Sequence, residues 1–130
     1  SKQVAAPSFY LHIQPGGCFL GGGIWHPEPD IQRKIRNFLV DNPAGWQAVV
    51  QKPAFKRRFT MWGDALTRPP RGFPADHPLI EDIKRKDFTA GEALEDAVVL
   101  GPRLRQAIVS GFTGVAPLVD YLCASLDLEF

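Results

Sequence analysis

Residues 8–14, SFYLHIQ, alternate between apolar and polar positions: Phe9, Leu11 and Ile13 point one way, Tyr10, His12 and Gln14 the other. Alternation of period two with aromatic and β-branched residues predicts a half-buried strand. Pro15-Gly16-Gly17 supplies a turn, a fixed φ followed by two residues free to take positive φ. Residues 18–25 then read as the returning strand of a hairpin. Setting Gln14 against Phe19 places Ile13 opposite Leu20, Leu11 opposite Gly22 and Phe9 opposite Ile24, apolar on apolar. The same register puts His12 beside Gly21 and Tyr10 beside Gly23. Glycine inside a strand marks a bulge, a crossing helix or a close backbone approach. The alternative is a shallow ligand groove floored by Gly21 and Gly23.

Pro27-Glu28-Pro29-Asp30 ends the second strand, because proline cannot donate to a ladder. A helix is expected over 30–41, with Ile31, Ile35, Phe38 and Leu39 on one face and Arg33, Lys34 and Arg36 on the others. Trp46, Val49 and Val50 predict a second short helix ended by Pro53, with one more turn over 54–59. Strands are expected over 59–62 and 66–68, ahead of the Pro69-Pro70 break. Asp76 as N-cap and Pro78 near the first helical position predict a helix over 78–85 burying Leu79, Ile80 and Ile83. Residues 87–94 read as a strand.

Residues 101–126 carry the longest helical pattern. Leu104, Ile108 and Phe112 form one stripe and Leu118, Tyr121, Leu122 and Leu126 another, with Gly114 to Pro117 expected to separate two helices. Residues 1–7 read as an irregular lead-in. Strands that neighbour in sequence, mixed with helices in no strict alternation, predict an α+β fold. The expected architecture is an antiparallel sheet starting with the glycine-rich hairpin, with helices packed on one face.

At 130 residues, with 45% apolar and 22% charged positions, the chain reads as one soluble globular domain over 1–130. No run of eighteen apolar residues occurs, so no membrane span is expected, and no signal-peptide pattern appears. Cys18 and Cys123 match no metal or redox spacing, which predicts two reduced thiols and a cytoplasmic location. The net charge of +1 conceals a segregation: residues 52–86 carry nine basic and four acidic side chains, residues 87–130 two basic and seven acidic. Mutual attraction of the two segments within the fold is the preferred reading, an anionic partner the other.

Candidate chemistry is sparse. Gly21-Gly22-Gly23 lacks the G-x-G-x-x-G spacing of a dinucleotide site and the Gly-Lys-Ser/Thr of a phosphate loop. His12, His26 and His77 show no ligand spacing, so neither a metal nor a cofactor is expected. Cys18 lies beside the turn with His12 across it, Cys123 lies in an apolar helix, and no catalytic group can be assigned. The strongest cluster is Arg68, Arg71, Lys84, Lys86 and Asp87. Arg68 and Arg71 flank the rigid Pro69-Pro70 corner, and guanidinium groups so held suit carboxylate or phosphate, unless they pair with Asp82, Asp87 or the acidic tail. Lys56-Arg57-Arg58-Phe59 with Trp62 is a weak nucleic-acid platform, and a pI near 7.8 argues against it. Trp25, Trp46 and Trp62 are expected as core anchors.

The strings YLHIQPGGCFLGGGIWHPEP, NPAGW, LTRPPRGFPADHPLIEDIKRKDF and APLVDYL resemble the bacterial domain-of-unknown-function family 2461, and the resemblance covers nearly the whole chain. It implies longer relatives with an N-terminal helical part and an Arg/Asp/Lys/Tyr-rich motif upstream of the hairpin, so the likeness is to the C-terminal portion of such a protein. It implies no activity. The function expected is a binding or interaction domain for a small anionic ligand, held by Tyr10, His12, Gly21, Gly23, Arg68, Arg71, Lys84 and Lys86. The alternative is part of an enzyme whose other catalytic groups lie in the N-terminal segment. That segment, or a second copy of the chain, is the further partner expected; a membrane and nucleic acid are not.

Overall fold

The computed structural model describes residues 6–130, so most of the lead-in expected over 1–7 lies outside the described residues. Strands β1 (Ser8–His12) and β2 (Cys18–Ile24) form the hairpin. Their register differs from the expected one by two residues: Phe9 faces Gly22, Tyr10 faces Gly21 and His12 faces Phe19. The turn is the reason. Gly17 N–H donates to the Gln14 carbonyl at 2.8 Å, closing a two-residue corner with Pro15 at its fixed φ and Gly16 at φ 75°. A slip of two changes every partner but turns no side chain to the other face.

Strands β3 (Thr60–Trp62) and β4 (Phe88–Leu94) complete an antiparallel sheet of order β1-β2-β4-β3. Helices α1 (Pro29–Asp41), α2 (Pro43–Val50) and α3 (Pro53–Arg58) each carry a proline in the first turn. There its missing N–H would have no helical partner in any case. The remaining helices are α4 (Ile80–Ile83), α5 (Asp96–Val99) and α6 (Leu104–Ser125). The fold is α+β.

Three expectations are corrected. Residues 66–68 form no strand: Ala65 and Arg85 make an isolated bridge and Leu66 N–H meets the Lys84 carbonyl at 2.7 Å. Pro69 and Pro70 have no N–H with which to extend it. Asp76 does not cap α4; the nearby donor, Leu79 N–H, is taken by His77 Nδ1 at 3.0 Å, and the helix shrinks to one turn. The expected break in the last helix is absent, and α6 runs through Pro117. The proline removes one donor, while burial of Val115, Leu118 and Leu122 on one face holds the helix together. By length and composition alone α6 is long and apolar enough to cross a membrane. Here it is a core helix.

The sheet face bearing Leu20, Ile24, Phe88 and Ala90 packs against Ile35, Leu39, Trp46 and Leu118. Gly22 lies on this face, and a Cβ there would stand 2.9 Å from Val119 and 3.1 Å from Val115 of α6. Gly111 of α6 is equally bare over Leu20. Two missing side chains let helix and strand approach closely.

Arg36 reads as polar surface but is buried: Nε donates to the Ile83 carbonyl at 2.7 Å and Nη2 to the Arg85 carbonyl at 2.8 Å. A one-turn helix leaves its terminal carbonyls without partners, and the guanidinium fork supplies them. Burial, aided by the Arg33 charge, pushes the Arg36 guanidinium down from its ordinary range. Among the described residues one ion pair joins the basic and acidic segments, Arg58 to Glu92 at 2.8 Å.

Candidate functional site

Tyr10, His12, Phe19, Gly21, Gly23, Trp62, Thr89 and Gly91 share the parity opposite to the core positions, on the face away from the helices. Gly21 is paired with Tyr10 on one side and with Gly91 on the other. A Cβ on Gly21 would lie 2.6 Å from the Ala90 carbonyl oxygen, and Gly23, at φ 131°, would collide with the Phe88 carbonyl. Close approach of β2 and β4 thus accounts for these two glycines. All three glycines on this face are buried, and the floor they make lies beneath the side chains around it.

Aromatic rings wall that floor. Trp62 reaches in from β3 and covers Gly91. Phe19 meets Trp62 edge-on at 5.2 Å and carries the His12 ring stacked at 4.8 Å. Tyr10, Trp25, Leu11 and Thr89 complete a groove of about 540 Å³. Trp46 is fully buried, as a core anchor should be, but Trp25 is 52% exposed and Trp62 half-buried in the groove.

The groove's polar groups are few. His12 Nε2 bonds Gln14 Oε1 at 3.0 Å, and Thr89 donates its hydroxyl to the Trp62 carbonyl at 3.0 Å, which ties β3 to β4. The Tyr10 hydroxyl oxygen is buried with no hydrogen-bond partner among the described residues. Burial, and then the negative charge of Asp87, push its ionisation well above the ordinary tyrosine range. Tyr10 therefore stays a neutral O–H donor.

A second, polar cleft of about 300 Å³ is lined by His26, Glu28, Gln32, Asp64, Lys86 and Asp87, among others. Asp87 is 1% exposed; its Oδ1 accepts the His26 backbone N–H at 2.7 Å and its Oδ2 the Asp64 N–H at 2.9 Å. The His26 ring nitrogen Nδ1 stands 3.4 Å from Oδ1, and its backbone sits at φ 50°. Gly63, at φ 103°, has no Cβ where one would overlap the Asp87 side chain. The Trp25 and His26 rings, 4.6 Å apart, join the two cavities.

Residues 1–121 match the family of conserved hypothetical proteins DUF2461. The chain belongs to DUF2461. Comparison with curated proteins and with solved structures finds no match.

The eight site residues expected from sequence are dispersed in this DUF2461 chain. Tyr10 and His12 line the aromatic groove, above Gly21 and Gly23. Lys86 lines the polar cleft, and Lys84 pairs with Glu81 at 3.0 Å. Arg68 and Arg71 are exposed and line neither cavity. Nor do they pair with Asp82 or Asp87, whose partners are Arg85 and His26. Sequence reasoning passed over Phe19, Trp25, Trp62 and Thr89. For Phe19 and Trp25 the signal was available, since both share the parity of Gly21 and Gly23. For Trp62 and Thr89 it was not, because their place depends on pairing between β3 and β4.

Both cysteines are free and buried. Burial, with Asp120 nearby, pushes the Cys123 thiol upward, away from the reactive thiolate.

Proposed function

We propose that this DUF2461 chain binds a small, largely apolar, ring-bearing molecule on the open face of its sheet. One observation carries the reading: the rings of Tyr10, Phe19, Trp25 and Trp62 line an open groove on a sheet face that no helix among the described residues covers. Large aromatic surfaces left in water are costly, and about 540 Å³ lies within the range of small-molecule sites. The anionic ligand expected from sequence finds little support in this groove, which no Lys or Arg among the described residues lines.

Titration of the neutral dye Nile red, whose emission rises in apolar surroundings, tests the proposal. Saturable one-to-one uptake is expected, weakened about tenfold or more by Trp62→Ala, as loss of an aromatic stacking wall entails. Equal uptake by both proteins would overturn it.

The enzymatic alternative has a separate observation in its favour, the exposed His26 imidazole beside the buried Asp87 carboxylate, a pairing suited to proton transfer. It requires that a ligand bound in the groove be chemically altered by the wild-type chain and left intact by His26→Ala.

A further inference from the structure

Resting on the groove reading, we infer that the polar cleft beside the groove hydrolyses neutral aryl esters, with His26 as the base that activates water and Asp87 as its positioning residue. Asp87 is 1% exposed, and its two oxygens are fixed by the backbone N–H groups of His26 and Asp64. Gly63 has no side chain where one would strike it. Against this fixed carboxylate, His26, at φ 50°, holds its exposed ring with Nδ1 3.4 Å from Oδ1. A carboxylate beside Nδ1 keeps the proton there and leaves Nε2 to accept another. Its charge then stabilises the imidazolium that results.

The lining sets the chemistry. Among the described residues lining the cleft there is no Ser, Thr or Cys, so water is the nucleophile. Glu28, Asp64 and Asp87 bring negative charge to the cleft, which repels an anionic electrophile such as a phosphate monoester. A carboxylic ester is uncharged and meets no such penalty. Nε2 takes a proton from water as the water oxygen bonds to the ester carbonyl carbon. The tetrahedral intermediate then breaks its C–O bond, and Nε2 returns the proton to the leaving alcohol. Lys86, in the same lining, supplies positive charge for the oxyanion formed on the way. The groove accounts for the aryl part. The Trp25 and His26 rings, 4.6 Å apart, join the two cavities, so a ring held against Trp25 brings its ester to His26.

2-Naphthyl acetate, followed by the fluorescence of released 2-naphthol, is the test. Saturable hydrolysis above the protein-free rate is expected. His26→Gly, which keeps the positive φ open, should lower kcat about 100-fold or more. Added imidazole should restore part of that loss, beyond its own protein-free catalysis. His26→Asn, which also accepts a positive φ, should be as inactive and melt as cooperatively as the wild type. Asp87→Asn should lower kcat with KM unchanged, whereas Trp62→Ala should raise KM about tenfold with kcat unchanged.

Hydrolysis at the protein-free rate, or full activity in His26→Asn, would overturn the inference. So would an acetylated chain in mass spectrometry during turnover, which would place the nucleophile on a side chain. Inactivity of His26→Gly with no recovery in imidazole would show His26 to be structural and overturn its role as base. Nile red uptake without ester hydrolysis would leave the groove standing and remove this inference. Hydrolysis that needs His26 but ignores Trp62→Ala would support the base and remove the groove reading.

Discussion

Asp87, immediately before β4, accepts the backbone N–H of His26 at 2.7 Å, across 61 positions of sequence. Its second oxygen takes the Asp64 N–H at 2.9 Å. One buried carboxylate therefore ties the end of the hairpin to the turn that follows β3, and with them the two cavities. Asp87→Ala would leave two backbone donors without their acceptor, and should cost about 3 kcal/mol in urea unfolding, with Asp87→Asn, which keeps one acceptor, in between. A loss below about 1 kcal/mol would mean that water takes the carboxylate's place.

The chain's two tyrosines report on the fold at alkaline pH. Burial pushes Tyr121, whose hydroxyl donates to the Asn42 carbonyl at 3.0 Å, up to about 12, and Tyr10 is raised as well. A phenol that holds its proton more tightly when folded stabilises the fold fully below its unfolded pKa. That contribution is lost as pH rises from about 10 through the folded value. Absorbance at 295 nm should stay flat past pH 10 and rise together with loss of the far-ultraviolet circular dichroism. Tyr121→Phe should remove part of the alkaline sensitivity. A rise near pH 10 with the dichroism intact would show freely solvated phenols.

Gly16 and Gly23 both sit at positive φ, 75° and 131°, but only Gly23 faces a neighbour that a side chain would strike. Gly16→Ala should cost about 1–2 kcal/mol, the left-handed penalty alone. Gly23→Ala adds a collision with the Phe88 carbonyl to a less favourable backbone, and should cost about 3 kcal/mol or more. Thermal melts of the two variants make the comparison, and equal shifts would mean that β2 and β4 separate easily.

Much of the candidate site was half-legible. Alternation alone places Tyr10, His12, Gly21 and Gly23 on one face, and they share it despite the two-residue slip in register. The anion cluster was not so placed. Arg68 and Arg71 were drawn towards the glycine face by chemistry without any contact to carry them there, and the loop they flank turns elsewhere: Arg33 of α1 bonds the Arg71 carbonyl at 3.5 Å and lies over Phe73 at 5.9 Å.

Side-chain alternation and the stereochemistry of proline and glycine act within a few residues, so the sequence by itself determined the two faces of the hairpin and the presence of α1, α2 and α3 in that order. The partners of those faces depend on groups far apart in the chain. Only the tertiary structure brought Trp62 over Gly91, carried α6 unbroken through Pro117, and buried Arg36 against the carbonyls of Ile83 and Arg85. In each case burial or a long-range hydrogen bond outweighed the local preference, and the local pattern carries no record of that balance.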